Sequence, residues 1–321
     1  MFRPRLLAAG MCTVVMPAVA SAQNAQCNPY SASSQTFNVC NAAVDATALF
    51  TPAVGAVVSG GSPVIGTART LGGFFHLSLA LRANATQVVT PDLNYDGTSR
   101  TVGQGSKVWA PTPNVDLSLG LFKGLGHGLL SVDALGSALL LPTGVIDNLT
   151  VDAGAPRIGS IALGIGYGAR VGVTNGRGPI PAISVSYMRR HVPRIAYGDV
   201  PGGDHYEYSS EVDADNFRLS AGYKLAILNL NGGLGWDHYK GSSTILFRDP
   251  VSDVAEPPID VVSTQSRTIA YLGAALDFPV VKIAAEAGWQ MARTESLYTS
   301  FAGNDPSKTR FFAGAGLRFS F

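Results

Sequence analysis

Charge is what this sequence has least of. Only 14% of its 321 residues are Asp, Glu, Lys or Arg, against roughly 25% in an ordinary soluble domain. The net balance is +1, which lacks the basic footprint of a nucleic-acid partner. Cysteine is scarce too, with three in the chain. Cys12 sits in the leader described below, which leaves Cys27 and Cys40. In an oxidising compartment an even pair defaults to a disulfide, and closing so short a loop is worth roughly 3 kcal/mol. A metal site would need further ligands, and no His or other Cys lies near. Long uninterrupted apolar runs are also missing after residue 22, because polar residues, Gly or Pro break them. No membrane-spanning helix is therefore expected beyond that point.

What is present fits that frame. Hydrophobic residues make up 46% of the chain, with 37 glycines. Arg3 and Arg5 precede an apolar stretch from Leu6 to Val19 that ends in Ala20-Ser21-Ala22. That is a secretory signal with its small-residue cleavage site, which places the mature start at Gln23. Neither Cys12 nor Cys27 follows a lipoprotein-type sequence.

Between Gln23 and Ala68 the only charged residue is Asp45. A repeat sits here: Thr51-Pro52-Ala53-Val54-Gly55 ending at Gly60-Gly61, then Ser62-Pro63-Val64-Ile65-Gly66 ending at Gly72-Gly73. Each unit offers a hydroxyl N-cap, a Pro at the first helical position and a closing Gly. Two short tandem helices are expected, too short to stand alone. They must pack as a plug in a lumen or as a lid at its periplasmic mouth. A phosphate-binding reading of these glycines fails, because no Lys follows.

From Leu71 the pattern turns to a period of two. In residues 160–173, Ile161, Leu163, Ile165, Tyr167 and Val171 alternate with Ser160, Gly164, Gly166, Gly168 and Arg170. In residues 281–293, Val281, Ile283, Ala285, Ala287 and Trp289 oppose Lys282, Glu286 and Gln290. The last stretch, residues 309–321, sets Phe311, Ala313, Ala315, Leu317, Phe319 and Phe321 against Phe312, Gly314, Gly316, Arg318 and Ser320. A strand with lipid on one side and a polar lumen on the other wants that alternation. This stretch resembles the terminal strand of bacterial outer-membrane β-barrels, in which Leu317, Phe319 and Phe321 would be the assembly signal.

Strands are expected at 74–89, 114–122, 127–141, 160–173, 182–191, 216–224, 228–239, 267–278, 281–293 and 309–321. Short links near 123–126, 175–178, 225–227 and 277–280 alternate with long ones near 91–113, 142–159, 193–215, 240–265 and 295–308, as a barrel with short periplasmic turns requires.

The inward faces collect Arg82, Arg170, Arg190, Arg218, Arg267, Lys282 and Arg318 against Asp116, Asp133, Asp237, Asp277 and Glu286. In a barrel of about ten strands, too narrow for a broad water channel, these are either cross-braces or a narrow path for an anionic or amphipathic solute. His76 and Ser78 stand two apart, a pairing that resembles lipid A deacylases, but they point inward. Ten strands also suit omptin proteases, yet Asp204-His205 and Asp237-His238 are adjacent rather than two apart, so their side chains diverge, while Asp213 and Asp215 share a face. The outer loops carry Asp199, Asp204, Glu207, Glu211, Asp213 and Asp215, a run that suits either divalent cations bridging lipopolysaccharide or a solvated face. No catalytic residue, metal or cofactor is expected.

The expectation is an all-β, transmembrane, antiparallel up-and-down β-barrel of about ten strands, range eight to twelve, with a short helical N-terminal plug or lid. Its parts are a signal peptide (1–22), a disulfide-bearing periplasmic or luminal segment (23–72) and the barrel (73–321). A plug ahead of the first strand is similar in layout to the fatty-acid-channel group, and implies a narrow or plugged channel for a small hydrophobic or anionic solute. The alternative is a non-conducting barrel that stabilises the envelope or displays its loops, and a barrel enzyme of the lipid A deacylase or omptin kind comes third. Implied partners are outer-membrane lipid and lipopolysaccharide, the barrel-assembly machinery and periplasmic chaperones.

Overall fold

The computed structural model describes residues 24–126, 128–142, 149–176 and 179–321. The expected signal peptide and Gln23 lie outside them, as does His127.

Ten antiparallel strands form a closed barrel: β1 (Leu77–Pro91), β2 (Gln104–Phe122), β3 (Ser131–Pro142), β4 (Ile161–Asn175), β5 (Ala182–Tyr197), β6 (Tyr206–Leu225), β7 (Leu228–Phe247), β8 (Ile259–Asp277), β9 (Val281–Gln290) and β10 (Arg310–Ser320). Each strand pairs with its neighbours in sequence, and β10 closes on β1 with Leu81 opposite Leu317. The period-two pattern explains the closure. Leu81, Leu117, Ile165, Phe217, Leu272, Ile283 and Leu317 are exposed on the outside, while Ser78, Arg82, Asp116, Arg218 and Arg318 are buried inside. Toward the short turns closure leaves no free strand edge, so there each strand is paired on both sides.

The links sort by end. Ala226 and Ile227 alone join β6 to β7, and residues 278–280 join β8 to β9. The first short link is longer than expected: Gly124, Gly126, Gly128 and Leu130 all have positive φ, so β3 begins at Ser131. At the other end several expected loops are half strand. β2 starts at Gln104, β6 at Tyr206 and β8 at Ile259, while β7 runs on to Phe247. Glu207, Glu211, Asp213 and Asp215 thus lie on β6 and not in a loop.

The largest departure is N-terminal. One helix, α1 (Ser34–Ser59), replaces the two short ones. Ser33 caps it by accepting from the Thr36 amide at 3.4 Å, and it ends at Gly60, whose amide donates to the Ala56 carbonyl at 2.9 Å. Thr51 and Pro52 lie inside it. An internal Pro removes one helical hydrogen bond and leaves the carbonyl four residues back without its donor. That carbonyl belongs to Ala48, and Gln265 of β8 donates to it at 2.9 Å. The barrel wall therefore carries the helix through a residue that would otherwise mark its start. Ser62 and Pro63, the second expected start, lie in non-helical chain. At ~1.5 Å per residue the 26 residues of α1 span about 39 Å. By length and composition α1 could cross a membrane, contrary to the sequence expectation, yet it lies buried within the barrel.

The direction of α1 fixes the placement of the N-terminal segment. Cys27 and Cys40 form the expected disulfide. They pack in one cluster with Leu93, Tyr95, Tyr206, Ile245 and Phe247, at the long-loop end. Residues 60–73 then descend to the short-turn end, where Gly73 accepts from the His76 amide and β1 begins. The segment occupies the lumen, and its disulfide lies at the end opposite the short turns.

Candidate functional site

The lumen holds the candidate site, and strand parity builds it. Every residue of the luminal set lies on an inward face, and they fall into tiers. Near the short turns Asp133 of β3 pairs with Arg170 of β4 at 2.7 Å and accepts from the Leu71 amide at 3.1 Å. Arg318 of β10 donates to the Ile65 carbonyl at 3.0 Å, and Lys282 donates to the Ser320 hydroxyl at 3.2 Å. Midway, Arg82 of β1 contacts Asp116 at 2.7 Å and Glu286 at 3.4 Å and donates to the Ser62 carbonyl at 2.7 Å. Glu286 accepts from the Ser62 amide at 3.1 Å. Opposite, Arg218 of β6 pairs with Asp237 of β7 and donates to the carbonyls of Gly61 at 3.1 Å and Ser59 at 2.7 Å. Asp237 also accepts from Tyr239 at 2.7 Å and Asn216 at 2.9 Å, and Arg190 donates to Asn216. Arg267 lies apart, toward the long loops, with Glu295 at 3.4 Å.

These residues were legible as a lumen, but their partners were not. Many of their hydrogen bonds go to the backbone of residues 59–71, which offers the last carbonyl of α1 and, beyond it, amides and carbonyls of a stretch that is neither helix nor strand. The fit is close. A side chain at Gly55 would collide with the Tyr239 ring, and one at Gly61, which also has φ +83°, would collide with the Glu286 carboxylate. Buried charges of this kind hold only while paired, and removing one partner costs about 3–5 kcal/mol.

One side of α1 is apolar. Phe50, Ala53, Val54, Val57 and Val58 follow helical spacing and line a cavity of about 400 Å³, lined on the wall side by Leu139, Val192 and Val212. Phe50 stacks on Tyr208 at 5.0 Å between ring centroids. A second cavity of about 390 Å³ adjoins it through Phe50, Ala53 and Val88, and is lined by Asp305, Lys308 and Arg310. Hydrogen bonds from the Ser307 hydroxyl and amide hold the Asp305 carboxyl below its ordinary value. Sequence reasoning missed both cavities. Their signal was the apolar stripe from Phe50 to Val58, obscured by taking Thr51-Pro52 as a helix start.

The remaining sequence-selected residues stand as follows. Leu317, Phe319 and Phe321 face outward on or just beyond β10, and Phe321 exchanges backbone hydrogen bonds with Leu77 at 2.9 and 3.1 Å. His76 precedes β1 and is exposed, with Nδ1 3.2 Å from the Gly73 carbonyl, while Ser78 is buried inside. Asp237 faces the lumen, whereas His238 faces out, 3.0 Å from the Ser266 hydroxyl. Asp213 lies 2.9 Å from His191 and Asp215 accepts from Tyr187 at 2.6 Å, both on the outer face of β6.

No protein-family model and no curated protein matches the chain. Among solved structures it is similar to the translocator domain of the autotransporter NalP from Neisseria meningitidis, at 16% identity and a TM-score of 0.42, over 87% of this chain and 99% of that one. The outer membrane protease OmpT from Escherichia coli aligns at 12% identity and a TM-score of 0.39, over 79% and 100%. A FadL homologue from Pseudomonas aeruginosa aligns at 12% identity and 0.24, over 76% and 88%.

Proposed function

We propose that this chain is an integral outer-membrane barrel that works as a plugged channel, with its short turns toward the periplasm. On this reading periplasmic chaperones deliver it and the assembly machinery engages the strand ending in Leu317, Phe319 and Phe321. The apolar outer belt then faces lipid, bounded by lipopolysaccharide.

One observation carries the channel reading. Much of the bore is occupied by a separate run of chain, residues 34–73, which luminal side chains of the strands clasp. The luminal Arg and Asp residues that clasp this run would be solvated by water if it left. A plug of this kind can be released without stranding buried charges in a dry interior. The cavities beside α1 suit a small solute, apolar or anionic.

The test is single-channel conductance in planar bilayers. We expect the folded mature protein to be closed or to flicker, and the barrel lacking residues 23–72 to conduct steadily. Arg318→Ala, which removes one plug contact and breaks no ion pair among the described residues, should raise flickering in the full chain. A folded, inserted truncated barrel that stays silent would instead support a non-conducting structural barrel, a reading favoured by the buried ion pairs that cross-brace the wall.

A further inference from the structure

Two long loops fold together as a lid over the mouth at the long-loop end. Residues 92–103 join β1 to β2 and residues 291–309 join β9 to β10, so they flank the seam where β10 meets β1. A parallel ladder only two residues long sews them together, Thr101–Val102 against Ser300–Phe301. Tyr95, Val102 and Phe301 pack on the disulfide cluster beneath. Both loops also grip the first turns of α1. Asn38 donates to the Gly97 carbonyl at 2.8 Å and accepts from the Tyr298 hydroxyl at 3.0 Å. The Tyr298 ring meets Phe37 edge-on at 5.4 Å between centroids.

One group within this grip carries charge. Asp45 is the only charged residue between Gln23 and Ala68, and it is 4% exposed. Its carboxylate accepts from the Thr299 amide of the lid at 2.8 Å and from the Asn24 side chain at 2.9 Å. Among the described residues no cation lies within ion-pair distance of it. The site stands above the bilayer. The Pro52 carbonyl accepts from Gln290 at 3.2 Å, and Gln290 follows Trp289, which meets Phe311 and through it Trp109. Such an aromatic row marks the membrane–water boundary. Asp45 lies seven residues further up the helix, about 10 Å beyond that level.

Closing the lid therefore takes a carboxylate out of water and gives it no cation. That cost falls on the charged form alone. Burial pushes the Asp45 carboxyl above its ordinary value of 3.8, in spite of the hydrogen bonds from Asn24 and Thr299. A closed lid thus binds the proton more tightly than an open one. The resulting support for closure is complete in acid and is lost as pH rises through the raised value. Protonation does not break the contact, because a neutral carboxyl still has an oxygen to accept from the Thr299 amide.

The other charged groups packed around the lid are occupied. Arg267 of β8 pairs with Glu295 at 3.4 Å, as does Arg293. Arg100 lies over the Tyr298 ring at 3.6 Å, and Asp249 accepts from the Thr36 hydroxyl at 2.7 Å. Asp92 and Asp96 accept from amides of their own loop at 3.0 Å. Burial pushes the hydroxyls of Tyr95, Tyr206 and Tyr208 up, so they stay neutral. His205 abuts the lid, with Nδ1 3.3 Å from the Tyr95 carbonyl.

We propose that Asp45 is a proton-operated latch on this lid, which shuts the mouth in acid and loosens it toward neutral pH. As a gate for cargo the latch rests on the plugged-channel reading, whereas its movement is read as a distance, apart from any conductance.

The experiment uses the full mature chain in lipid nanodiscs, with spin labels at Ala302→Cys on the lid and Val262→Cys on the wall. Pulsed electron resonance gives the distance between them from pH 4 to pH 8. One narrow distribution is expected in acid, and a second should grow in as pH rises. Within the window the ratio of the two should change by up to about tenfold per pH unit, as one coupled proton allows. Asp45→Asn keeps an oxygen for the Thr299 amide and cannot ionise, so it should hold the acid distribution at every pH. His205→Gln should behave as the parent does. A distribution that ignores pH, or a lid that loosens in acid, overturns the latch. An unchanged pH response in Asp45→Asn, or a lost one in His205→Gln, overturns the assignment to Asp45. A silent truncated barrel beside a lid that moves as described would sink the channel reading and keep this one.

Discussion

The two halves of β6 are built for different solvents. Toward the short turns, Phe217 and Leu219 point out while Asn216, Arg218 and Ser220 point in. Toward the long loops, Glu207, Glu211, Asp213 and Asp215 point out while Tyr206, Tyr208, Val212 and Ala214 point in. The period of two never breaks; only its sign reverses. β7 does the same, passing from an outward Trp236 and an inward Asp237 to an outward Lys240 and an inward Ile245 and Phe247. The lower half is an inside-out wall around a polar lumen. The upper half is an ordinary soluble core wrapped around an apolar helix. The N-terminal segment matches both, with the nearly charge-free α1 above and the exposed backbone of residues 60–73 below.

That contrast can be broken at three points. The largest effect is expected in the lower lumen: Asp133→Ala leaves Arg170 buried without its carboxylate and the Leu71 amide without its acceptor, and should cost about 3–5 kcal/mol in urea unfolding from detergent. A smaller effect separates the two outer faces. Leu219→Arg puts a cation on the lipid side and should cost about 2–4 kcal/mol near the middle of the belt. Asp213→Arg, six residues along the same face, should cost well under half that in lipid-reconstituted protein. Equal costs would mean that the sign reversal does not mark a change of solvent. The smallest concerns the upper half: Gln265→Ala strands the Ala48 carbonyl beneath Pro52 and should cost about 1 kcal/mol. It should be read as faster amide exchange in the helix around Pro52, with the lower strands unchanged.

The same reversal explains what was legible in the sequence. Ten strands and the faces of the terminal one emerged wherever apolar residues pointed out, because that was the pattern sought. Residues 206–215 and 240–247 carry an equally regular alternation of opposite sign, which reads as loop against a pattern with the apolar face outward. The luminal charges followed from parity alone. Their attachment to the plug backbone did not, since a carbonyl leaves no mark in a sequence. α1 was hidden by Pro52, whose penalty is met by a glutamine more than two hundred positions away.

The backbone exchange between Leu77 and Phe321 has a consequence for timing. It belongs to the seam between β1 and β10, the one strand pair in the ring that is not adjacent in sequence. All other pairs are local and can zip in order, whereas this one must wait for the whole ring. Residues 34–73 precede β1, so they are available for the curling sheet to close around before the seam shuts. The expected order of assembly is therefore wrapping before sealing, with the β1–β10 seam the last to close.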